Sequence, residues 1–165
     1  MSVQVDDFVA PDLIEPVIGY RQWRIGPTGL LSLHCAEPWH TATLEARCLH
    51  GRHPELPAPV QACCCGIYAW YQQTPRMASA GTADLVCGAV VLWGGIELHA
   101  TGMRGQYARV VALAMPFGRT KRRLLVQAAA QLGVPALPHA GVAAVAAREG
   151  AAVPDSLKPV SAGAA

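Results

Sequence analysis

Apolar and polar positions along the chain alternate in short runs that predict β-strands. Residues 17–34 contain two apolar-rich runs separated by a Gly-Pro turn signal, and they predict a β-hairpin. Leu85–Trp93 is a β-branched apolar run, and Gly94-Gly95 predicts a turn into a second strand over residues 96–101. Gly102–Met115 continues in an extended pattern and predicts a third strand. These runs together indicate a small antiparallel sheet.

A period of 3.6 residues predicts helices elsewhere in the chain. The clearest helix covers residues 120–132, where leucines and alanines line one side and Gly133 ends the pattern. The run GIYAWYQQ directly after Cys65 has helix-like spacing and predicts a short helix. An alanine-rich stretch at 141–150 predicts one further, weak helix.

Potential metal ligands are concentrated between Cys48 and Trp70, which contains four of the six cysteines and two of the six histidines. The predicted ligands follow the spacing C-x4-H-x9-C-x-C and are Cys48, His53, Cys63 and Cys65. Three thiolates and one imidazole are the donors that a structural, tetrahedral Zn²⁺ takes. The loop between them contains three prolines and no repeating apolar face. Packing alone is therefore not expected to hold this loop, whereas a bound zinc ion would.

Other interpretations of these cysteines stay open. His50 and Cys64 compete as donors within the stretch, and Cys35 or Cys87 can substitute as a ligand. The cysteines also fit the alternatives of small, buried apolar residues or of ligands for an iron–sulfur cluster or Cu(I). Zinc is favoured because it accepts both the soft thiolates and the borderline imidazole.

Length and composition limit the class of protein. The chain has 165 residues, of which 52% are apolar, and this predicts one domain with a core. The formal net charge of +2 is too small to indicate nucleic-acid binding. The start has no basic-then-apolar run and no apolar run reaches about 18 residues, so we expect neither a signal peptide nor a membrane span. We expect a cytoplasmic protein whose cysteines are thiols or ligands rather than disulfides.

These observations predict an α+β fold, with a small antiparallel sheet or partly open barrel, a zinc-knuckle loop and two to three helices. Residues 1–15 are predicted to form a flexible arm, and residues 16–140 a single zinc-stabilised domain. Within that domain, Thr74–Thr82 is small and polar and predicts an exposed loop. Residues 141–165 are predicted to contain the weak helix and a disordered tail rich in Ala and Pro.

Basic residues are concentrated on the third strand and at the start of the helix over 120–132. Positive charges in the first turns of a helix oppose its dipole, which costs about a few tenths of a kcal/mol each unless anions lie nearby. The candidate contacts to an acidic protein or to nucleic acid are Arg104, Arg109, Arg119, Lys121, Arg122 and Arg123. A solvated basic face that maintains solubility is the simpler interpretation.

Several other notable residues are assigned to structure. Trp23 and Trp39 are predicted to anchor the core, and Cys87 to be a buried thiol. Glu97 and His99 share one face of the second strand, where exposed polar alternation explains them better than proton chemistry that lacks a third partner. The chain contains no phosphate-binding glycine loop, nucleophile elbow or dinucleotide fingerprint, and we assign no catalytic residue.

Three segments, CCCGIYA, VVLWGGIELHATGMRGQYARVVAL and QLGVP, resemble a family of short, uncharacterised proteins from high-GC Gram-positive bacteria. That family has a C…H…P…C-x-CGIYA core, and the resemblance covers roughly residues 18–137. It implies that the four predicted ligands occupy metal-like positions and that Cys64 occupies a variable one. The chain departs from the family at QLGVP, where an aromatic residue is usual, and at Gly105, where alanine is usual.

The predicted function is a non-enzymatic, zinc-stabilised interaction module that binds a protein partner or nucleic acid through its basic face. The alternatives are a thiol- or metal-based sensor or metal-handling protein, for which the adjacent cysteines argue, and a metallohydrolase with an open coordination position. Zn²⁺ is the only cofactor expected, with no small-molecule cofactor and no membrane partner.

Overall fold

The strands and helices come from a computed structural model that describes residues 15–73 and 84–160. Its seven strands are β1 Val17–Gly26, β2 Gly29–Ser32, β3 Thr43–Glu45, β4 Ile67–Trp70, β5 Leu85–Leu98, β6 Gly102–Ala114 and β7 Ala136–Leu137. The two helices in these ranges are α1 Arg119–Leu132 and α2 His139–Glu149. A mostly antiparallel sheet with two helices is the predicted α+β class. The predicted loop at Thr74–Thr82 and all but the last residue of the predicted N-terminal arm lie outside the described residues.

The β5–β6 hairpin is the centre of the sheet. On one side β5 pairs with β1 over eight residues, from Val17↔Leu92 to Arg24↔Leu85. β6 pairs with β4, and β1 also meets β4 at the single pair Tyr20↔Trp70. Strands β1, β5, β6 and β4 therefore follow one another as neighbours in a ring of pairings. A partly open barrel stays a prediction, since pairings do not define the curvature.

Burial on both faces explains the apolar character of β5. Val90 and Leu92 lie in the main core with Trp23, whereas Ala89 and Val91 pack on the opposite face in a second cluster that includes residues of α2. A strand that is covered on both faces has a continuous run of apolar residues, whereas a strand with one solvated face alternates apolar and polar residues. Trp23 and Trp39 are both buried, as the sequence predicted, and their rings meet edge to face.

The predicted turn at Gly94-Gly95 is wrong, because β5 continues through it to Leu98. Trp93 pairs with Tyr107 and Ile96 with Gly105, so the two glycines oppose the single residue Gln106 and form a β-bulge. Gly94 has a φ of +76°, which suits glycine. The chain reverses instead over residues 99–101, where the His99 N–H donates to the Gly102 carbonyl at 2.8 Å.

The predicted helix after Cys65 is also wrong, because Ile67–Trp70 forms β4. Ile67 and Ala69 are buried, whereas Tyr68 and Trp70 are exposed. This alternation has the period of a strand, and the aromatic and β-branched side chains suit a pleated surface. The backbone hydrogen bonds that β6 offers to this segment decide between the two conformations.

The helix predicted at 120–132 is confirmed as α1, and Gly133 ends it in the left-handed conformation with φ of +68°. The weak helix predicted at 141–150 is α2, which begins two residues earlier, at His139, and buries Val142 and Ala146. Neither helix in the described ranges is long and apolar enough to cross a membrane.

The chain beyond α2 was expected to be disordered, yet its described part contacts the sheet. Ala151 forms a bridge with Val17, and the Ile18 N–H donates to the Ala151 carbonyl at 2.8 Å. Val153 is buried in the main core. Residues 161–165 lie outside the described residues, and the domain limits at 15 and 140 stay predictions.

Candidate metal centre

The four predicted ligands lie in the metal loop, residues 46–66, which connects β3 to β4 and contains neither helix nor strand. β3 ends at the pair Glu45↔Tyr107, and β4 begins at the pair Ile67↔Gly105. Both ends of the metal loop are therefore bonded to neighbouring positions of β6, whose other edge pairs with β5. This anchoring brings the start and the end of a long segment close together.

Sulfur and nitrogen donors meet within the metal loop. Candidate ligand atoms of Cys48, His53 and Cys63 all lie within 4.8 Å of one another, close enough to hold a metal ion. The Sγ atoms of Cys48 and Cys63 are 3.9 Å apart. Cys65 lies beside this group, because its Sγ is 3.5 Å from His53 Nε2, but it is not one of the three residues whose donor atoms all lie within 4.8 Å of one another. Cys48, Cys63 and Cys65 form no disulfide, so no disulfide explains the approach of these sulfurs.

Two of these distances are close to the edge lengths of a coordination tetrahedron. With bonds of about 2.3 Å to sulfur and about 2.0 Å to nitrogen, tetrahedral geometry separates two sulfurs by about 3.8 Å and a sulfur from a nitrogen by about 3.5 Å. The separations of 3.9 Å for Cys48 and Cys63 and of 3.5 Å for Cys65 and His53 are close to these values. A disulfide would require about 2.05 Å between the sulfurs.

Backbone N–H groups of the metal loop point at the sulfurs. The Val60 N–H donates to Cys65 Sγ at 3.3 Å. The Cys65 N–H lowers the pKa of Cys63 below its usual value, and hydrogen bonds from the Cys65 and Cys48 thiols and the charge of Arg52 act in the same direction. Burial raises the pKa of Cys65, which is 8% exposed. A cation would stabilise the thiolate that burial disfavours at Cys65.

His53 presents one ring nitrogen to the cluster, because Nε2 faces Cys65 Sγ. Its Nδ1 is buried and has no hydrogen-bond partner among the described residues. The competing donors Cys64 and His50 are exposed, and neither belongs to the close group found in those residues. The Cys64 carbonyl accepts a hydrogen bond from the Tyr68 hydroxyl at 3.1 Å.

Arg104 connects the metal loop to the sheet. Its Nη1 donates to the carbonyl oxygens of Cys63 and Cys65, the latter at 3.0 Å. Its Nη2 donates to the Val60 carbonyl at 3.3 Å and forms an ion pair with Glu97 Oε2 at 2.6 Å. Burial lowers the pKa of Arg104, but the ion pair with Glu97 more than offsets this and leaves the pKa above its ordinary value.

This position corrects two sequence interpretations. Arg104 was a candidate partner contact, but it is 5% exposed and its guanidinium is occupied by the metal loop. Glu97 was interpreted as part of an exposed polar alternation, but it is buried and also contacts His99 Nε2 at 3.1 Å. Glu97 and Arg104 are directly opposite in the β5–β6 register. If the turn had been predicted at residues 99–101, the sequence alone would have placed Glu97 opposite Arg104 on the two strands.

The other candidate partner contacts lie apart from the metal loop. Arg109 forms an ion pair with Glu149 at 3.0 Å, and Lys121 donates to the Leu85 carbonyl at 3.2 Å. Arg119, Arg122 and Arg123 are exposed at the start of α1. The structure therefore leaves three of the six basic candidates on an open face, and their role stays a prediction.

Comparisons of the chain with models of protein families, with curated proteins and with solved structures found no match. The resemblance to the bacterial family with the C-x-CGIYA core therefore stays a prediction.

Proposed function

We propose that this chain is a non-enzymatic interaction module whose metal loop is stabilised by Zn²⁺ bound to Cys48, His53, Cys63 and Cys65. The observation that carries the proposal is the approach of Cys48, His53 and Cys63, whose candidate ligand atoms lie within 4.8 Å of one another, with Cys65 Sγ 3.5 Å from His53 Nε2. The mixed donor set favours zinc over Cu(I) or an iron–sulfur cluster, because imidazole and thiolate together are typical of structural zinc sites.

A structural role for the ion follows from the donor count and from the metal loop. Four protein ligands fill a tetrahedral site and leave no position for water or substrate, in contrast to catalytic zinc sites. In the metal loop, Leu49 and Leu56 are exposed, whereas Ala46, Ala58 and Cys65 reach the main core. Metal binding in such sites supplies folding free energy. The cysteines of the metal loop form no disulfide, which fits a reducing compartment, and we place the protein in the cytoplasm.

Elemental analysis of protein purified without added metal tests the zinc assignment. We expect about one zinc ion per chain in the unmodified protein and in Cys64→Ser. Cys65→Ser and His53→Ala should each lose the bound zinc. Full zinc content in both ligand variants, or iron or copper in place of zinc, would contradict the proposal.

The interaction surface that we propose is the outer face of α1. Arg119, Arg122, Arg123 and Val126 recur at three- and four-residue spacing and are exposed, so they lie on one face of the helix. Phe117, just before the helix, is 83% exposed. Arginine and aromatic side chains are enriched at protein interfaces. The modest net charge of +2 favours an acidic protein over nucleic acid as the partner.

The start of α1 supports an anionic partner. Gly118 precedes the helix without a side-chain cap, and the first turn contains no acidic residue. The free N–H groups and the positive charges of Arg119 and Arg122 therefore add to the positive end of the helix dipole. Carboxylates of a partner would satisfy the N–H groups and pair with the arginines.

A charge-reversed variant tests this surface. Arg119→Glu with Arg122→Glu should abolish capture of an acidic model polypeptide such as polyglutamate, while zinc content and melting temperature stay unchanged. Arg148→Glu, an exposed change on α2, is the matched control and should leave capture intact. Mobility shifts with DNA or RNA across a salt series test whether the partner is nucleic acid, because binding to phosphates weakens steeply as salt rises. If DNA or RNA shows a mobility shift that Arg119→Glu with Arg122→Glu removes, the partner is nucleic acid and not an acidic protein.

A thiol- or metal-based sensor is the second candidate, and one observation favours it. Cys64 is exposed between two proposed ligands, so an oxidant reaches a thiol directly beside the zinc site. Peroxide should then release zinc at low equivalents in the unmodified protein and much less in Cys64→Ser. Equal resistance in both proteins would argue against sensing. A metallohydrolase is disfavoured because it needs a coordination position that four protein ligands do not leave.

A further inference from the structure

A cavity of about 870 Å³ lies beside the metal loop. Its walls come from β1, from the connection between β2 and β3, from the metal loop, from β4 and from the turn between β5 and β6. Cavities of this size are typical of sites for small organic molecules. The zinc proposal does not use this cavity, although Cys64 and Cys65 line part of it.

Arg21 lines this cavity and lacks a carboxylate partner. Its guanidinium donates to the Ser32 hydroxyl at 3.2 Å and to the Tyr68 carbonyl, both of which are uncharged groups. It also lies over the Trp39 ring, 5.8 Å from the ring centroid. Among the described residues, no carboxylate comes within 4.0 Å of it.

The surroundings of Arg21 make this lack of an anion costly. Its Nε is buried and has no hydrogen-bond partner in the described part of the chain. Burial lowers the pKa of Arg21 to about 10, and the charges of Cys35 and Glu37 offset this only in part. A buried cation is stabilised by an anion at hydrogen-bond distance. An anionic ligand would supply the negative charge at hydrogen-bond distance that the described part of the chain does not.

The rest of the lining suits an anionic molecule with an apolar body. Arg47, an exposed residue of the metal loop, adds a second positive charge, and Glu37 is the only acidic residue in the lining. Tyr68, Trp70 and Met103 supply apolar and aromatic surface. A few placed polar groups in a mostly apolar wall are typical of small-molecule sites.

We propose that this cavity binds a small organic anion, whose carboxylate or phosphate group pairs with Arg21 and Arg47 while its apolar part contacts Trp70. Arg21 is held in place by Ser32, whose hydroxyl also accepts a hydrogen bond from Trp39 Nε1 at 3.0 Å. The guanidinium is therefore oriented before a ligand arrives, which reduces the entropic cost of binding. The metal loop supplies Arg47 and part of the cavity wall, including Cys65, so the site is tested with zinc bound.

Two fluorescent probes of similar shape test the proposal on the full-length, zinc-loaded protein. 8-Anilinonaphthalene-1-sulfonate carries an anionic group, whereas N-phenyl-1-naphthylamine is uncharged. We expect Arg21→Gln to weaken binding of the sulfonate at least tenfold and to leave binding of the amine within twofold. Arg148→Gln on α2 is the matched control and should change neither. Displacement of the sulfonate by benzoate or by phenyl phosphate then distinguishes a carboxylate ligand from a phosphate ligand.

Three results would overturn the proposal. These are no saturable binding of the sulfonate to the folded protein, equal loss of both probes in Arg21→Gln, and an equal effect of Arg148→Gln. If Arg21→Gln does not keep the melting temperature of the unmodified protein, the Arg47→Gln variant is used to test the site instead. This exposed change should weaken binding of the sulfonate at least threefold without affecting binding of the amine. An unchanged affinity for the sulfonate would refute the site.

Discussion

The metal loop and the β5–β6 hairpin are stabilised in opposite ways. Most residues of the two hairpin strands are buried, and the strands pair from Gly88↔Leu113 to Leu98↔Met103. The metal loop is mostly exposed and contains no regular backbone pairing. Apolar burial holds the hairpin under any condition in which the chain is folded, whereas under our proposal the metal loop depends on thiolates, an imidazole and an ion. If so, its order is conditional on metal supply, redox state and pH.

Arg104 is the point at which the two regions meet. It belongs to β6, where Glu97 of β5 faces it, yet three of its four acceptor groups are carbonyl oxygens of the metal loop. The hairpin thus positions a cation that holds the backbone of the metal loop, while the sulfurs of that loop face the proposed zinc ion. Changes in each region should be separable by measuring stability and metal content together.

The largest effect is expected for Cys65→Ser. Structural zinc in small peptides contributes an apparent binding free energy of about 10–16 kcal/mol, which is comparable with the stability of a domain. We expect this variant to lose zinc and at least about 4 kcal/mol of unfolding free energy. Cys64→Ser, one position away, should stay within about 0.5 kcal/mol. Urea unfolding with zinc quantification checks both, and equal stability of the two variants would remove Cys65 from the ligand set.

Arg104→Gln should be the next most damaging change. It leaves the Glu97 carboxylate buried without its partner, and breaking a buried ion pair costs about 3–5 kcal/mol. The double variant with Glu97→Gln should lose less than the sum of the two single changes, because both remove the same interaction. Chemical denaturation of all four proteins gives the coupling free energy. Strict additivity would show that the two side chains do not interact as described.

Leu92→Ala separates the two regions most clearly. Leu92 is fully buried in the hairpin, so the truncation should lower the unfolding free energy by about 2–5 kcal/mol through lost burial and a cavity. Zinc content of the folded variant should be unchanged, in contrast to Cys65→Ser. Loss of zinc from folded Leu92→Ala would mean that the hairpin core and the metal loop are not independent.

The smallest effect concerns Cys87 at high pH. Burial raises the pKa of this thiol from 9.0 to about 11. Because the folded-state pKa is the higher one, the folded protein retains the proton that the unfolded chain releases, and stability is lost as pH rises from about 9 to about 11. Cys87→Ala should make the melting temperature less dependent on pH over this window, whereas Cys35→Ala, at an exposed position, should not. Parallel curves for all three proteins would contradict the shift.

Local patterns were sufficient where one segment carries its own signal. The period of α1 and the glycine that ends it predicted that helix within one residue, and the apolar run of β5 predicted a buried strand. The sequence also predicted the cluster of Cys48, His53 and Cys63 that can hold a metal ion, because thiolates and imidazole suggest metal chemistry.

Only the three-dimensional arrangement decided the features that depend on partners distant in sequence. β4 is four residues long, too short for its period to separate strand from helix, and pairing with β6 settles it. The same pairing turns Gly94-Gly95 into a bulge and places Glu97 opposite Arg104. The donors of the metal loop converge because both of its ends bond to β6. Register between strands is a non-local property, so composition and periodicity carry little information about it.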